Sequence, residues 1–275
     1  MKVRYIKKIS NKKIIENFYR KNTCLNIYPI GDLDDFFFMK TEWFALSEKK
    51  NDKEEIIEMA FVYRGTDLPV LIAVCEGDNK NMKELLGGIL KDLPDNIYSH
   101  LSIGLDEVFE RSYEKHDHGR HFKMCLKKND FIEFIETIEN NGSDYIRRLS
   151  PSDIDLISEF YKRSYPDNWF DMRMLETGKY FGYYFENELI GVAGIHVYSP
   201  EFKVAALGNI TTLPLHRGKS VCRKLTSVLC RDLFKSTDHI GLNVHSENIP
   251  AIKCYQNLGF SLTGEYFEST LKKKL

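Results

Sequence analysis

The sequence predicts an α/β (α+β) protein: a mixed, largely antiparallel sheet flanked by helices, read as two tandem copies of one arrangement. Three observations lead there. Short apolar or alternating runs are interleaved with longer stretches whose apolar residues recur at i, i+3 and i+4. Hairpin and helix-boundary signals fall between them. The order read from residue 145 onward, β-α-α-β-β-β-α-β-α-β-β, is nearly the order read before residue 128. Any α/β domain of this size gives a similar string, so the repeat indicates duplication without proving it.

In the N-terminal half the pattern predicts a strand over 3–9, helices over 11–20 and 33–48, and strands over 56–63 and 69–75. A helix over 80–91, a strand over 96–102, a helix over 104–114 and a strand over 121–127 complete it. Phe131, Phe134, Ile135 and Ile138 then share one helical face. The run Asn140-Asn141-Gly142-Ser143 is the most linker-like spot. It divides the chain into an N-terminal α/β domain, 1–140, and a C-terminal domain, 141–275.

The C-terminal half is punctuated more clearly. After a strand at 145–149, Ser150 and Asp153 have capping-box spacing ahead of Ile154, Ile157, Phe160 and Tyr161. A second helical segment covers 168–177. YFGYYFE and LIGVAGIHVY form a hairpin about Asn187-Glu188. The strand VAALGNITT runs into Leu213-Pro214-Leu215-His216-Arg217-Gly218-Lys219-Ser220. Val221, Leu225, Val228 and Leu229 mark the next helix. The strand Ile240–His245, a helix from Asn248 to Leu258 and strands after Gly259 follow.

Composition narrows the function. The 275 residues can bury a core without staples. Lys and Arg number 39 against 40 Asp and Glu, so neither nucleic acid nor a membrane surface is an expected partner. No apolar run is long enough to span a bilayer. The charged N-terminus lacks the apolar stretch of a secretory signal, so the expected location is the cytoplasm. Six cysteines, at 24, 75, 125, 222, 230 and 254, contain no CxxC pair. They predict reduced thiols, with no disulfide framework and no zinc site. His116, His118 and His121 lie in KHDHGRH, around a glycine, and read as a polar loop. No metal is expected.

The chemistry concentrates in GNITTLPLHRGKSVCRKL. Gly218-Lys219-Ser220 resembles the end of a Walker A loop, but Leu213 stands where that loop needs its first glycine. A nucleoside triphosphate is therefore excluded. Anion binding is not: a strand ends at Thr212, and a helix opens near Gly218–Ser220 with unpartnered amides at its positive end. Gly218 permits close backbone approach, and Arg217 adds charge. An ordinary helix start, with Ser220 near its cap, is the equal alternative for this segment taken alone. In LNVHSENIPAIKCYQNLGF, Asn248 is a good N-cap and Pro250 suits a first turn. Ala251, Tyr255 and Leu258 share a face, and Gly259 ends the helix. Taken alone, Tyr255 reads as a core aromatic.

Together the two segments resemble the GNAT superfamily of acyl-CoA N-acyltransferases. Its second motif, Asn-x-x-Ala-x-x-x-Tyr-x-x-x-Gly-Phe, is matched at Asn248, Ala251, Tyr255, Gly259 and Phe260. In its first, Arg/Gln-x-x-Gly-x-Gly/Ala, Arg217 matches, and Ser220 and Cys222 replace the small residues. Gly218 supplies the extra glycine often found after the Arg. The resemblance covers about 145–271. It implies acetyl-CoA (acyl-CoA) as co-substrate and an amine of a small molecule or peptide as acceptor. Ile210, Thr211 and Thr212 would hydrogen-bond the pantetheine arm. The amides of Arg217, Gly218, Lys219, Ser220, Val221 and Cys222 would hold the pyrophosphate. Asn248 and Ala251 belong to the second motif's share of the cofactor site, with Asn248 on the pantetheine region and Tyr255 facing the sulfur.

That resemblance implies direct attack by the amine, with an amide near Ile210 or Thr211 as the oxyanion donor and Tyr255 as the acid for the leaving thiolate. The strand Val204–Thr212 has no carboxylate to serve as base, which leaves His196 and His245 as candidates. Each also reads as a strand residue satisfied by a neighbour. Asn209 is placed to orient a water. The N-terminal half offers CEGDNKNMKEL in place of the phosphate loop, and so predicts a copy that no longer binds acyl-CoA. The missing carboxylate, Ser220 and Cys222 also leave open a non-catalytic acyl-CoA sensor of the same fold.

Overall fold

The computed structural model describes residues 2–51, 53–134, 144–166 and 168–274. The chain forms two compact units: residues 1–22, 32–123 and 264–275, and residues 23–31 and 124–263. The expected linker at 140–143 lies outside the described residues, as do Ile135 and Ile138.

In the first unit, β1 (Val3–Ile9), β2 (Thr41–Lys50), β3 (Lys53–Tyr63) and β4 (Val70–Ala73) pair antiparallel in that order. β5 (Asn96–Leu101) joins β4 in parallel, and β12 (Ser261–Lys273) pairs antiparallel with β5. The parallel pair needs a crossover, and α4 (Lys80–Ile89) supplies it. Met82, Leu85, Leu86 and Ile89 of α4 pack on Phe44, Leu46, Ala60, Val62, Leu71, Ile97 and Leu101. α1 (Lys12–Tyr19) begins on the Asn11 cap, whose side chain accepts from the Ile14 amide.

The second unit repeats the plan. β7 (Asp144–Arg148), β8 (Phe181–Phe185), β9 (Glu188–Ser199) and β10 (Val204–Thr212) are successively antiparallel, and β11 (His239–His245) is parallel to β10. α6 (Val221–Leu233) makes that crossover, and α7 (Ile249–Gln256) follows β11. α5 (Ile154–Ser164) follows the Ser150–Asp153 capping box, which forms as expected. The β8–β9 turn places Glu186 and Asn187 at φ +47° and +66°, the pair of left-handed residues a tight hairpin prefers. Both units are thus the mixed, largely antiparallel sheet with flanking helices that the sequence predicts.

Five expected assignments differ. Of the helix over 33–48, only α3 (Asp35–Phe38) is helical, and from Thr41 onward the chain is β2 (Thr41–Lys50). Trp43, Phe44, Ala45 and Leu46 are buried in succession, and a short run buried on both faces has no period to tell strand from helix. The helix over 104–114 is a single 3₁₀ turn, Asp106–Val108, and 168–177 holds another, Met172–Thr177. Residues 131–134 are not helical. The KHDHGRH histidines are not in a loop: β6 (Tyr113–Lys127) runs straight through them. His118 Nε2 lies 2.8 Å from Thr270 Oγ1, and His121 Nε2 3.6 Å from Glu268. The expectation of uniformly reduced thiols is also corrected, because Cys24 and Cys125 form a disulfide with Cα atoms 5.4 Å apart. They are 101 residues apart in sequence, so only folding, which places α2 (Ile27–Gly31) in the second unit, brings them together.

Candidate active site

The site grows from an irregularity in β10. This strand pairs with β11 only from Val204 to Ala206, against His239 to Gly241, although the two continue to Thr212 and His245. Its register with β9 shifts between Ala206 and Leu207, and again between Gly208 and Thr211. Asn209 and Ile210 therefore lie in a bulge, and Asn209 has φ +55°. A bulge bends a strand and raises its twist. Beyond the third pair β10 has left β11, and a strand edge is open for another extended chain.

A buried polar network holds the bulge. Tyr161 Oη donates to the Asn209 carbonyl at 2.7 Å. Asn209 Nδ2 donates to Tyr180 Oη at 2.9 Å, and Tyr180 Oη to the Ile195 carbonyl at 3.0 Å. His196 Nε2 lies 3.2 Å from Asn209 Oδ1. The ring of His196 occupies the space a side chain at position 208 would need, so Gly208 is what lets the histidine lie across β10. Burial raises the hydroxyl pKa values of Tyr161 and Tyr180, and both stay neutral donors.

After Thr212 the Leu213 amide donates to the Ile190 carbonyl at 2.9 Å, and a 3₁₀ turn spans Pro214–His216. Arg217 Nε donates back to the Thr212 carbonyl at 3.1 Å. Gly218 and Ser220 have φ +77° and +60°, which turns the backbone into the start of α6. The Ser220 side chain makes no cap hydrogen bond to that helix, and residues 217–220 are exposed. Its first amides have no intrahelical acceptor and sit at the positive end of the dipole. A Cβ at Gly218 would meet nothing within 4 Å, so the approach to these amides is clear. At β9, a Cβ on Gly191 would come 2.7 Å from Val221 and 2.9 Å from Leu225. That glycine lets α6 settle close to the sheet.

The other wall is α7. Asn248 Oδ1 caps it by accepting from the Ala251 amide at 3.3 Å, and Pro250 occupies the first turn. Tyr255 is buried, 8% exposed. Burial, and then the neighbouring Cys222 and Cys254, hold its hydroxyl pKa well above the ordinary value, so it keeps its proton at neutral pH. Gly259 has φ +97°, where the Asp130 carbonyl leaves no room for a side chain. Cys254 Sγ and Cys222 Sγ are 3.7 Å apart, which joins the first turn of α6 to the residue before Tyr255.

The loop from Arg217 to Cys222, the β10 edge at Ile210–Thr212 and the Asn248–Tyr255 helix thus belong to one unit. The two histidines are held differently. His196 is tied to Asn209, whereas His245 Nδ1 accepts from the Glu247 amide at 3.3 Å, at the end of β11. Sequence reasoning missed Tyr161 and Tyr180, which bond to β9 and β10, and the approach of Cys254 to Cys222, which depends on α7 packing beside α6. For Asn209 one signal existed: asparagine is among the few non-glycine residues that adopt positive φ readily.

A test of fit for a pantetheine-bearing ligand comes from orphaned polar atoms. Thr212 Oγ1 at the end of β10 and Asn243 Oδ1 on β11 are buried without a hydrogen-bond partner among the described residues. Buried polar groups are rarely left so, and these two belong to the strands that diverge. The residues present fit such a group.

The profile of the Acetyltransferase (GNAT) family matches residues 143–260. Residues 143–260 are a GNAT acetyltransferase domain. No curated protein matches the chain in sequence. Among solved structures, a Drosophila protein is similar over 97% of this chain and 98% of its own, with TM-score 0.72 and 12% identity. A GCN5-related N-acetyltransferase from Sphaerobacter thermophilus covers 99% of this chain and 95% of its own, with TM-score 0.62 and 10% identity. A tandem GNAT protein of the clavulanic acid biosynthesis pathway is similar over 98% of both chains, with TM-score 0.56 and 11% identity. At these identities the likeness is one of fold. GNAT enzymes generally use acetyl-CoA. Among the described residues no group of His, Cys, Asp and Glu is arranged to hold a metal, and no helix is long and apolar enough to cross a membrane.

The first unit has the same order of elements but a different crossover. β4 stays paired with β5 along its whole length, Val70–Ala73 against Tyr98–Leu101. Asp78 Oδ1 accepts from the Lys80 amide at 2.8 Å, at the start of α4. The Lys80 ammonium and then that amide hold the Asp78 carboxyl below its usual range. A carboxylate of the chain itself thus takes one of the first amides of α4, whose N-cap residue Asn79, like Ser220 of α6, makes no cap bond of its own.

Proposed function

We propose that the chain is an N-acetyltransferase that moves an acetyl group from acetyl-CoA to the amine of a small-molecule or peptide acceptor by direct attack. The observation that carries this reading is the open, uncapped N-terminus of α6 beside the free edge of β10. Ile210, Thr211 and Thr212 hold the pantetheine arm as an added strand would be held. The amides from Arg217 to Cys222 hold the pyrophosphate, and Asn248, Ala251 and Tyr255 line the α7 side. The co-substrate supplies a thioester carbonyl and a thiolate leaving group. The Ile210 amide, in the bulge, steadies the charge that develops on the carbonyl oxygen. Tyr255, kept protonated by burial, gives its proton to the departing sulfur. His196 or His245 takes the proton of the incoming amine, through water that Asn209 helps to place. The domain division follows the same reading: 141–275 transfers the acyl group, and 1–140 is a degenerate copy with the Asp78 carboxylate on the first amide of α4. We place the enzyme in the cytoplasm.

The second reading, an acyl-CoA-binding sensor without turnover, draws on the absence of a carboxylate from β10 and on the hydrogen bonds already made by His196 and His245. Calorimetry with acetyl-CoA, and thiol release in the same sample across polyamines, amino acids, aminoglycosides and peptides, separates the two. Binding with thiol release for one acceptor class supports the enzyme. Binding with none supports the sensor. No binding refutes both.

A further inference from the structure

Cys222 and Cys254 are a pair of thiols placed on the two helices that frame the acetyl-CoA site. Cys222 is the second residue of α6, within the amide cradle, and Cys254 precedes Tyr255 on α7. Their sulfurs are 3.7 Å apart, and neither side chain is fully buried. The other free thiols are placed differently: Cys230 is buried, and Cys75 belongs to the first unit. We propose that Cys222 and Cys254 are an oxidative modification site, whose reversible disulfide switches off acetyl-CoA binding. This rests on the assignment of the α6 N-terminus as the pyrophosphate cradle.

The chemistry is ordinary thiol redox chemistry with a peroxide as oxidant. Cys222 lies in the first turn of a helix, where the dipole favours a thiolate. The Cys254 thiol donates to it and lowers its pKa further, against the opposing effect of burial, and Thr226 Oγ1 assists from 3.9 Å. The Cys222 thiolate attacks one peroxide oxygen, and the O–O bond breaks. Cys222 becomes a sulfenic acid, and the other oxygen leaves as water after taking up a proton. Cys254 then attacks the Cys222 sulfur, the S–O bond breaks, and a second water leaves with the Cys254 proton. Two thiols have lost two electrons and two protons, and one peroxide has become two waters.

The geometry supplies the consequence. A disulfide needs its sulfurs about 2.05 Å apart, so the pair must close by roughly 1.7 Å from its present separation. That movement falls on the first turn of α6 and on the α7 turn carrying Tyr255. The Cys222 amide is a cradle donor, and its displacement loses at least one charge-assisted hydrogen bond, which is about tenfold in affinity or more. Any thiol reductant reverses the change, because nothing beyond the sulfenic stage is reached while Cys254 is at hand.

The test uses the full chain. Reduced protein is treated with a few equivalents of hydrogen peroxide, digested without reduction, and searched by mass for a Cys222–Cys254 cross-linked peptide. Acetyl-CoA affinity is measured by calorimetry before oxidation, after it, and after dithiothreitol. The expected result is the cross-link, affinity at least about tenfold weaker, and recovery with the reductant. Cys254→Ser should bind acetyl-CoA like the reduced wild type, keep its affinity in peroxide, and accumulate a dimedone-reactive sulfenic acid at Cys222. Absence of the cross-link overturns the proposal, as does a cross-link that leaves affinity unchanged. If reduced protein fails to bind acetyl-CoA at all, the cradle assignment has failed and the switch with it. The cross-link assay then still reports on the thiol pair by itself.

Discussion

Asn209 joins the fold to the proposed chemistry, and paired substitutions separate its two contributions. Its backbone sits at φ +55°, and its side chain bonds Tyr180 Oη at 2.9 Å and His196 Nε2 at 3.2 Å from a position 4% exposed. Asn209→Gly keeps the backbone geometry without strain and deletes both bonds. Each is worth about 0.5–1.5 kcal/mol net, so about 1–3 kcal/mol of stability is lost. Asn209→Ala deletes the same bonds and adds the left-handed penalty of a residue with a Cβ, about 1–2 kcal/mol. Alanine should therefore be the worse of the two by roughly 1 kcal/mol, opposite to the usual order inside regular structure. Urea unfolding at pH 7, with wild type alongside, measures both differences. Thiol release on the same samples should show lower turnover for each, because the bulge positions the Ile210 amide. If glycine and alanine prove equally destabilising, the positive φ does not govern this position. If both lie within about 0.5 kcal/mol of wild type, the buried network does not hold the bulge.

Tyr255→Phe should lower turnover about a hundredfold or more, the usual weight of a general acid, with acetyl-CoA affinity nearly unchanged; unchanged turnover removes Tyr255 from that role. A pH–rate profile whose rising limb survives the double change His196→Ala and His245→Ala would exclude both as base. Calorimetry should return one acetyl-CoA per chain, since Asp78 places a carboxylate on the first amide of α4 and β4 stays paired; a stoichiometry of two contradicts the degenerate reading of 1–140. Asp153 is hydrogen-bonded by Arg147 and by the Ser150 amide, which together lower its pKa to about 2. A lowered carboxylate pKa stabilises the fold above its unfolded value and loses that contribution as pH falls through the folded one. Asp153→Asn should thus cost about 1 kcal/mol at pH 7 once solvent screening of the partly exposed Arg147 pair is counted, with the difference from wild type shrinking from pH 4 to pH 2 in urea titrations.

Elements with a clear period or a clear boundary residue were legible in the sequence. Asn248 caps its helix and Ser150 and Asp153 make their capping box as expected, while the hairpin expected about Asn187-Glu188 turns one residue earlier, at Glu186 and Asn187. These are local events, decided within a few residues by backbone geometry and side-chain reach. The turn at Arg217–Cys222 and the α7 segment were legible for the same reason: each is a continuous segment. β2 was not, because its buried run packs on both faces and so carries no period. The strand expected over 121–127 is the second half of β6; its first half was not legible, because its histidines are satisfied from Thr270 and Glu268, about 150 residues away in sequence.

By itself the sequence determined a mixed sheet with crossover helices, a strand-to-helix turn at Arg217–Cys222 and the tyrosine helix that follows. Only the tertiary structure decided which surfaces those segments share. It ends the β10–β11 pairing at Ala206, joins Cys24 to Cys125 and brings Cys222 to Cys254. Strand register, bulges and sulfur–sulfur approach depend on residues distant along the chain, and the packing of the core brings those residues together.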